Sequence, residues 1–373
     1  MTDPRVTKLA NVLVHYSLAL KPSETFFISA PPEADELTVA VYAEAIRAGA
    51  HVDVVDFAPG IGRGHPALSE AFYRYASDEQ LGHPSPVQKL LYDTYDAHLR
   101  ILAPANTRYL TNVDPAKQAT FARGSAGVGK AFMDRTAAGT FRWCLTAYPT
   151  QGAAQEASMS LEEYQDFVYG AGMLNEANPA AAWKKEVAQQ RKLIAWLKGR
   201  DRVVMKGSDI DLTFSIKDRV FEECAGRVNF PDGEIFTGPV EESLNGWVRY
   251  RYPVIFHNNE VADAELWFEN GRIGRETAGR GKDFLTATLN TDAGSRHIGE
   301  WGIGTNYNIQ RATGNMLFDE KIGGTIHLAV GASYPQTGGK NESSIHFDML
   351  CDMHDAEITI DGDLFYKNGR PVI

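Results

Sequence analysis

The chain has 373 residues, 43% hydrophobic and 23% charged, with a formal net charge of -11 from 48 acidic and 37 basic side chains. That is the composition of a folded globular protein with enough chain for two domains. The acidic balance argues against nucleic acid or an anionic membrane surface as partner. The three cysteines, Cys144, Cys224 and Cys351, are too widely spaced for a disulfide framework or a thiolate zinc motif, which predicts a reducing, cytoplasmic setting. The opening Met1-Thr2-Asp3-Pro4-Arg5 leads directly into amphipathic sequence with no apolar core of signal-peptide type. No stretch approaches the ~18 apolar residues of a membrane span.

Leu9, Leu13, Tyr16 and Leu20 recur at helical spacing. Thr25 to Ser29 is a short apolar run of buried-strand type. Leu37, Val41 and Ala45 mark a second helix, with Gly49 as its stop. His51 to Val55 reads as a strand, Val87 to Tyr95 as a helix, and Leu99 to Leu102 as the next strand. Gly124-Ser125-Ala126-Gly127-Val128-Gly129-Lys130 has the spacing of a phosphate-binding loop. Ala131 stands where that motif needs a hydroxyl for Mg²⁺, so the stretch reads as a glycine-rich surface loop. Phe141 to Ala147 is a strand closed by Pro149, and Ser160 with Glu163 forms a capping box. This order predicts an α/β domain with a largely parallel sheet over residues 1–184.

A long helix pattern follows from Trp183 to Leu197, and then the character changes. Short β-type runs at Val203-Met205, Leu212-Ile216, Val254-His257 and Glu265-Glu269 are punctuated by the turn pairs Asn270-Gly271, Asp361-Gly362 and Asn368-Gly369. Residues 185–373 are therefore expected to form a β-rich α+β domain. No internal repeat or low-complexity tract interrupts it.

The residues with chemical potential lie in this second half. His346 and Asp348 are two apart on a strand pattern, which puts imidazole and carboxylate on one face. His327 lies inside the apolar run 326–330, where a buried imidazole needs a partner, in the core or on a metal. A turn at Asp232-Gly233 delivers Glu234 into Ile235-Phe236, and glycines crowd Glu300 in Gly299-Glu300-Trp301-Gly302-Ile303-Gly304, allowing a close backbone approach or a sharp turn. Taken singly, each glutamate also reads as a solvated loop carboxylate, and Glu320 as a surface charge. Tyr334 is open to packing, ligation or hydrogen-bond donation.

Several separate segments carry a resemblance. Asn229 to Pro239, the stretch from Leu317 to Tyr334, His346-x-Asp348, and upstream Tyr16-Ser17, Lys21-Pro22 and Tyr148-Pro149-Thr150 occur in the order found in the thermophilic metallo-aminopeptidase family (M29), the aminopeptidase T and aminopeptidase S group. The chain resembles that family over nearly its whole length. The resemblance implies two divalent metal ions, Zn, Co, Mn or Mg, in the C-terminal domain. It implies Glu234, Glu300, His327, His346 and Asp348 as ligands, with Glu320 as a further one. Two extra residues between the Asp319-Glu320 pair and His327 depart from the family pattern. Tyr334 matches the family's tyrosine at the metal centre, as a ligand or an oxyanion donor. The implied enzyme is a homodimeric aminopeptidase acting on short peptides. A metal pair ~3.5–4 Å apart would hold a bridging hydroxide that attacks the first peptide carbonyl, with Glu300 or Glu320 passing the proton to the leaving amine.

Two other classes compete. His327, His346 and Asp348 also suit the facial triad of a non-haem Fe(II) ring-cleaving dioxygenase, resembling the dihydroxypyridine dioxygenases, though that reading leaves Glu234 and Glu300 without a role. A non-catalytic binding module on the same fold is the other.

Overall fold

The computed structural model describes residues 3–55, 66–256 and 259–373. His257, the last residue of one expected strand, and Met1-Thr2 of the opening segment lie outside the described residues. The chain divides into two compact units, Met1–Ala182 with Gly226–Pro231, and Trp183–Ala225 with Asp232–Ile373.

The first unit carries strands β1 (Thr25–Ser29), β2 (His51–Val55), β3 (Ala97–Leu102) and β4 (Arg142–Ala147). They pair in parallel in the order β2-β1-β3-β4, with helices between them. Phe26, Phe27 and Ile28 of β1 are fully buried, as expected for a central strand covered on both faces. The helix Asp35–Arg47 leads from β1 toward β2, and its exit turn uses Gly49 at φ 87°, a left-handed position that favours glycine. The opening helix, Pro4–Val12, continues into a π-helical turn at Leu13–Ser17, where Leu18 N–H donates to Leu13 O at 2.9 Å. The Ser160–Glu163 capping box starts the helix Leu161–Ala171 as its sequence predicts.

Residues 124–130 are not a surface loop but the middle of a 23-residue helix, Pro115–Ala137. Asp114 caps that helix by accepting from Ala116 N–H at 2.9 Å. Gly124 is small because the chain at Gly82 crosses there: a Cβ on Gly124 would lie 2.4 Å from Gly82 O. Gly124 serves helix packing, while a Cβ on Gly127 or Gly129 would meet nothing within 4 Å; backbone N–H groups bonded within a helix cannot cradle a phosphate.

Beyond the helix Pro179–Leu197 the chain is strand-rich, as expected. Its strands are β5 (Arg202–Lys206), β6 (Ile210–Ser215), β7 (Glu222–Cys224), β8 (Asn229–Phe230), β9 (Glu234–Thr237), β10 (Asn245–Tyr250), β11 (Val254–Phe256), β12 (Asn259–Glu269) and β13 (Arg272–Arg280). They continue with β14 (Ile298–Gly304), β15 (Thr325–Gly331), β16 (His346–Asp352), β17 (Glu357–Ile360), β18 (Asp363–Lys367) and β19 (Arg370–Pro371). β8 is the exception to this grouping, since it pairs in parallel with β4 at the edge of the first sheet. One sheet runs β11-β12-β10-β6-β5-β17-β18-β19, with β13 on β12. The turn pairs at Asn270-Gly271, Asp361-Gly362 and Asn368-Gly369 all have positive φ at both residues, the geometry of two-residue hairpins.

The other sheet, β16-β15-β14-β9-β7, is antiparallel in every pairing. β9, β14 and β15 are buried along their whole length. On the reverse face Trp301 packs edge-on against Phe214 and Phe221, with ring centroids 5.2 and 5.7 Å away. No helix among the described residues is long and apolar enough to cross a membrane.

Candidate metal centre

Strand register assembles the site. Residues directly opposite in an antiparallel pair share a face, as do residues two apart on one strand. Glu300 on β14 faces Ala329 on β15, which faces Asp348 on β16. Gly302 faces His327, Gly331 faces His346, and Gly304 faces Glu234. Glu234, Glu300, His327, His346 and Asp348 therefore project from one face of one sheet. Small residues stand among them: Gly302, Gly304, Ala329 and Gly331.

The small residues make the room. A Cβ on Gly302 would sit 2.0 Å from the His327 ring, so the imidazole lies across the β14 backbone. A Cβ on Gly304 would lie 2.1 Å from Ile322 O, and one on Gly299 2.2 Å from Ala332 O. The glycines crowding Glu300 thus answer to close approach, while the irregularity in the strand is a register shift between Ile298 and Glu300.

His327 Nε2 lies 3.3 Å from Glu234 Oε2 and 3.3 Å from Glu300 Oε1. His346 Nε2 lies 3.1 Å from Glu300 Oε2 and 3.6 Å from Asp348 Oδ1. Two triads of donors combine these carboxylates and imidazoles, Glu234–Glu300–His327 and Glu300–His346–Asp348, each with its ligand atoms within 4.8 Å of one another; a third group so spaced, Cys224–Asp232–Glu234, contains no histidine. Glu300 belongs to both, one oxygen toward each histidine. The histidines stand in different triads, an arrangement unlike one facial triad of His327, His346 and Asp348.

Supporting contacts orient these groups. His346 Nδ1 meets Ala332 O at 2.9 Å, which leaves Nε2 toward the carboxylates. Tyr334 is 38% exposed and its ring lies 5.2 Å from both Phe236 and His346. Glu320 lies outside both triads, with Oε1 2.6 Å from Lys321 Nζ.

Lys321 and Asp232 are the residues sequence reading passed over. Lys321 is 0% exposed. Its ammonium donates to Glu234 Oε1 at 2.5 Å and lies 3.5 Å from Asp232 Oδ1. The short helix Met316–Asp319 delivers it, held by Asp319, whose carboxylate accepts from Thr313 N–H, Thr313 Oγ1 and Gly314 N–H at 2.7–2.9 Å. No local signal marks Lys321, since beside Asp319-Glu320 it looks like one more surface charge.

Burial dominates the electrostatics. It pushes the Glu234 carboxyl upward, and Lys321 pulls against it. Asp348 is likewise raised by burial. Burial also opposes the charge on Glu300, but hydrogen bonds from His327 and His346 overcome it and hold that carboxyl low. Burial works against both imidazolium ions; the surrounding carboxylates reverse this, lifting His327 to about 9 and His346 to about 10. Burial pushes the Tyr334 phenol well up, with Glu300 and Asp348 adding to it, so the hydroxyl keeps its proton. Glu234 Oε2 is buried and has no hydrogen-bond partner. An oxygen in that state, among carboxylates and imidazoles with hard-to-borderline donor atoms, fits a divalent cation.

The family model for thermophilic metalloprotease (M29) matches residues 2–371. "Aminopeptidase 2" of Geobacillus stearothermophilus is 26% identical, covering 96% of this chain and 94% of its own length. "Aminopeptidase T" of Thermus thermophilus is 23% identical over 97% of this chain and 95% of its own. The solved structure "Wild-type AmpT from Thermus thermophilus" has the same fold, with a TM-score of 0.85 at 22% identity and 99% of both chains covered. With that match spanning almost every residue, the chain belongs to the thermophilic metalloprotease (M29) family, a family of peptide-bond hydrolases.

Proposed function

We propose that the protein is an aminopeptidase whose residues 185–373 form the catalytic domain and hold two divalent cations. The observation that carries this is the shared Glu300, whose two oxygens serve two donor triads on one sheet face. Glu234, Glu300 and His327 would hold one ion, and Glu300, His346 and Asp348 the other. Divalent cations held there supply Lewis acidity and an activated water at neutral pH. The names of the relatives support release of N-terminal residues.

The protein's own groups do the rest. Tyr334, neutral and partly exposed beside His346, donates a hydrogen bond to the oxyanion that develops on the scissile carbonyl. Glu320, at the edge of the centre on Lys321, carries the proton to the leaving amine. The reading extends to short peptides as substrates and to a cytoplasmic homodimer.

A panel of aminoacyl-nitroanilides and their N-acetylated counterparts tests it. Expected is hydrolysis of the free-amine substrates alone, abolished by chelation and restored by Zn²⁺, Co²⁺, Mn²⁺ or Mg²⁺. Equal cleavage of the acetylated set, or activity untouched by exhaustive chelation, contradicts it.

A further inference from the structure

We infer that Lys321 is a positioning residue that aims Glu234 at its cation, an inference that rests on the two-cation reading above. A glutamate has three side-chain torsions, and a carboxylate free to turn presents its lone pairs in many directions. Here one oxygen is tied and the other is left over. Glu234 Oε1 accepts from Lys321 Nζ at 2.5 Å, while Oε2 is buried, lacks a hydrogen-bond partner and lies 3.3 Å from His327 Nε2. The tether thus selects which oxygen belongs to the Glu234–Glu300–His327 triad.

Lys321 can do this because it is itself clamped. Its N–H donates to Phe318 O at 3.1 Å, and its carbonyl accepts from Asn306 N–H at 3.0 Å. The Asn306 side chain in turn donates to Asp232 O at 2.9 Å, two residues before Glu234. Backbone and side chain therefore bracket the same short segment from both sides. Such orienting partners outside the ligand set commonly govern metal affinity by about 10- to 100-fold. The second triad has a different orienter, the Ala332 carbonyl on His346 Nδ1, so removing Lys321 weakens one ion and spares the other.

The test is Co²⁺ affinity, measured by competition with a chromogenic chelator, in wild type, Glu320→Gln, Lys321→Met and the double variant Glu320→Gln/Lys321→Met. The double variant removes one charge of each sign, which supplies a folded sample should Lys321→Met alone unfold; thermal melts monitor this. Expected are two ions in wild type and in Glu320→Gln at affinities within twofold. In the double variant one ion stays within twofold and the other binds about 10- to 100-fold more weakly. Two unchanged affinities in the folded double variant overturn the inference and leave the two-cation reading standing. So does an equal loss in Glu320→Gln alone, which assigns the effect to Glu320. A wild type that binds no ion overturns the two-cation reading and this inference with it.

Discussion

Glu300 and Glu320 carry the same side chain and differ in surroundings. Glu300 is 4% exposed and lies between two imidazoles, whereas Glu320 lies outside both donor triads against an ammonium. Their substitutions should therefore separate. Glu300→Gln is expected to cost both metal and activity. Glu320→Gln should keep the metal and lower kcat by about 10²–10⁴-fold, the usual worth of a proton-transfer group. Metal content and steady-state kinetics on each variant check this, and metal loss in Glu320→Gln would make that residue a ligand instead. In the first unit, His98 offers a pH test. It is buried on β3, its Nε2 2.7 Å from Ser29 Oγ and its ring stacked on Phe27 at 4.1 Å. Burial, aided by Arg100, pushes its pKa down to about 3 from an ordinary 6.5. The unfolded chain then takes up a proton below pH 6.5 that the folded chain refuses, so stability is present above 6.5 and is lost as pH falls toward 3. The full loss is on the order of 5 kcal/mol. Melts of wild type and His98→Gln should diverge over that window, the variant losing less; parallel curves would contradict the assignment.

The close pairing of β14 with β15 decides whether His327 can reach its partners. Gly302→Ala puts a methyl group where the imidazole lies. Overpacking of that kind costs about 1–3 kcal/mol, and displacement of a ligand by even ~1 Å costs ~10²-fold in rate. The expected result is a folded variant with metal and activity sharply reduced; unchanged metal affinity would show that the ring has another place to go. This pairing also shows how far the sequence could be read. The i, i+2 spacing of His346 and Asp348 and the apolar setting of His327 declare their strand faces locally. That Glu234, Glu300 and these residues share one sheet face is a matter of register between distant strands, and it was read only through the family resemblance. Lys321 left no trace because its burial comes from the turns at 306 and 313–314, not from its neighbours in sequence. Gly124 reads as a loop residue because a helix contact at Gly82 and a loop demand the same small residue; nothing in the structure requires glycine at 127 or 129.

At the scale of the whole molecule, the residues singled out for catalysis or metal binding all lie in one compact unit, and the parallel sheet of the other contains none of them. The alternation of helix and strand through residue 184 and the hairpin signals after it made this class of architecture legible. The segment 226–231, which returns to pair with β4, was not, because a two-residue strand has no periodicity to detect. The account as a whole stands on two cations meeting at Glu300. Anomalous diffraction from crystals loaded with Zn²⁺ or Co²⁺, collected at the metal edge, tests that most directly. The account predicts two peaks, one among Glu234, Glu300 and His327 and the other among Glu300, His346 and Asp348. A single peak shared by His327, His346 and Asp348, or peaks away from this sheet face, would contradict it.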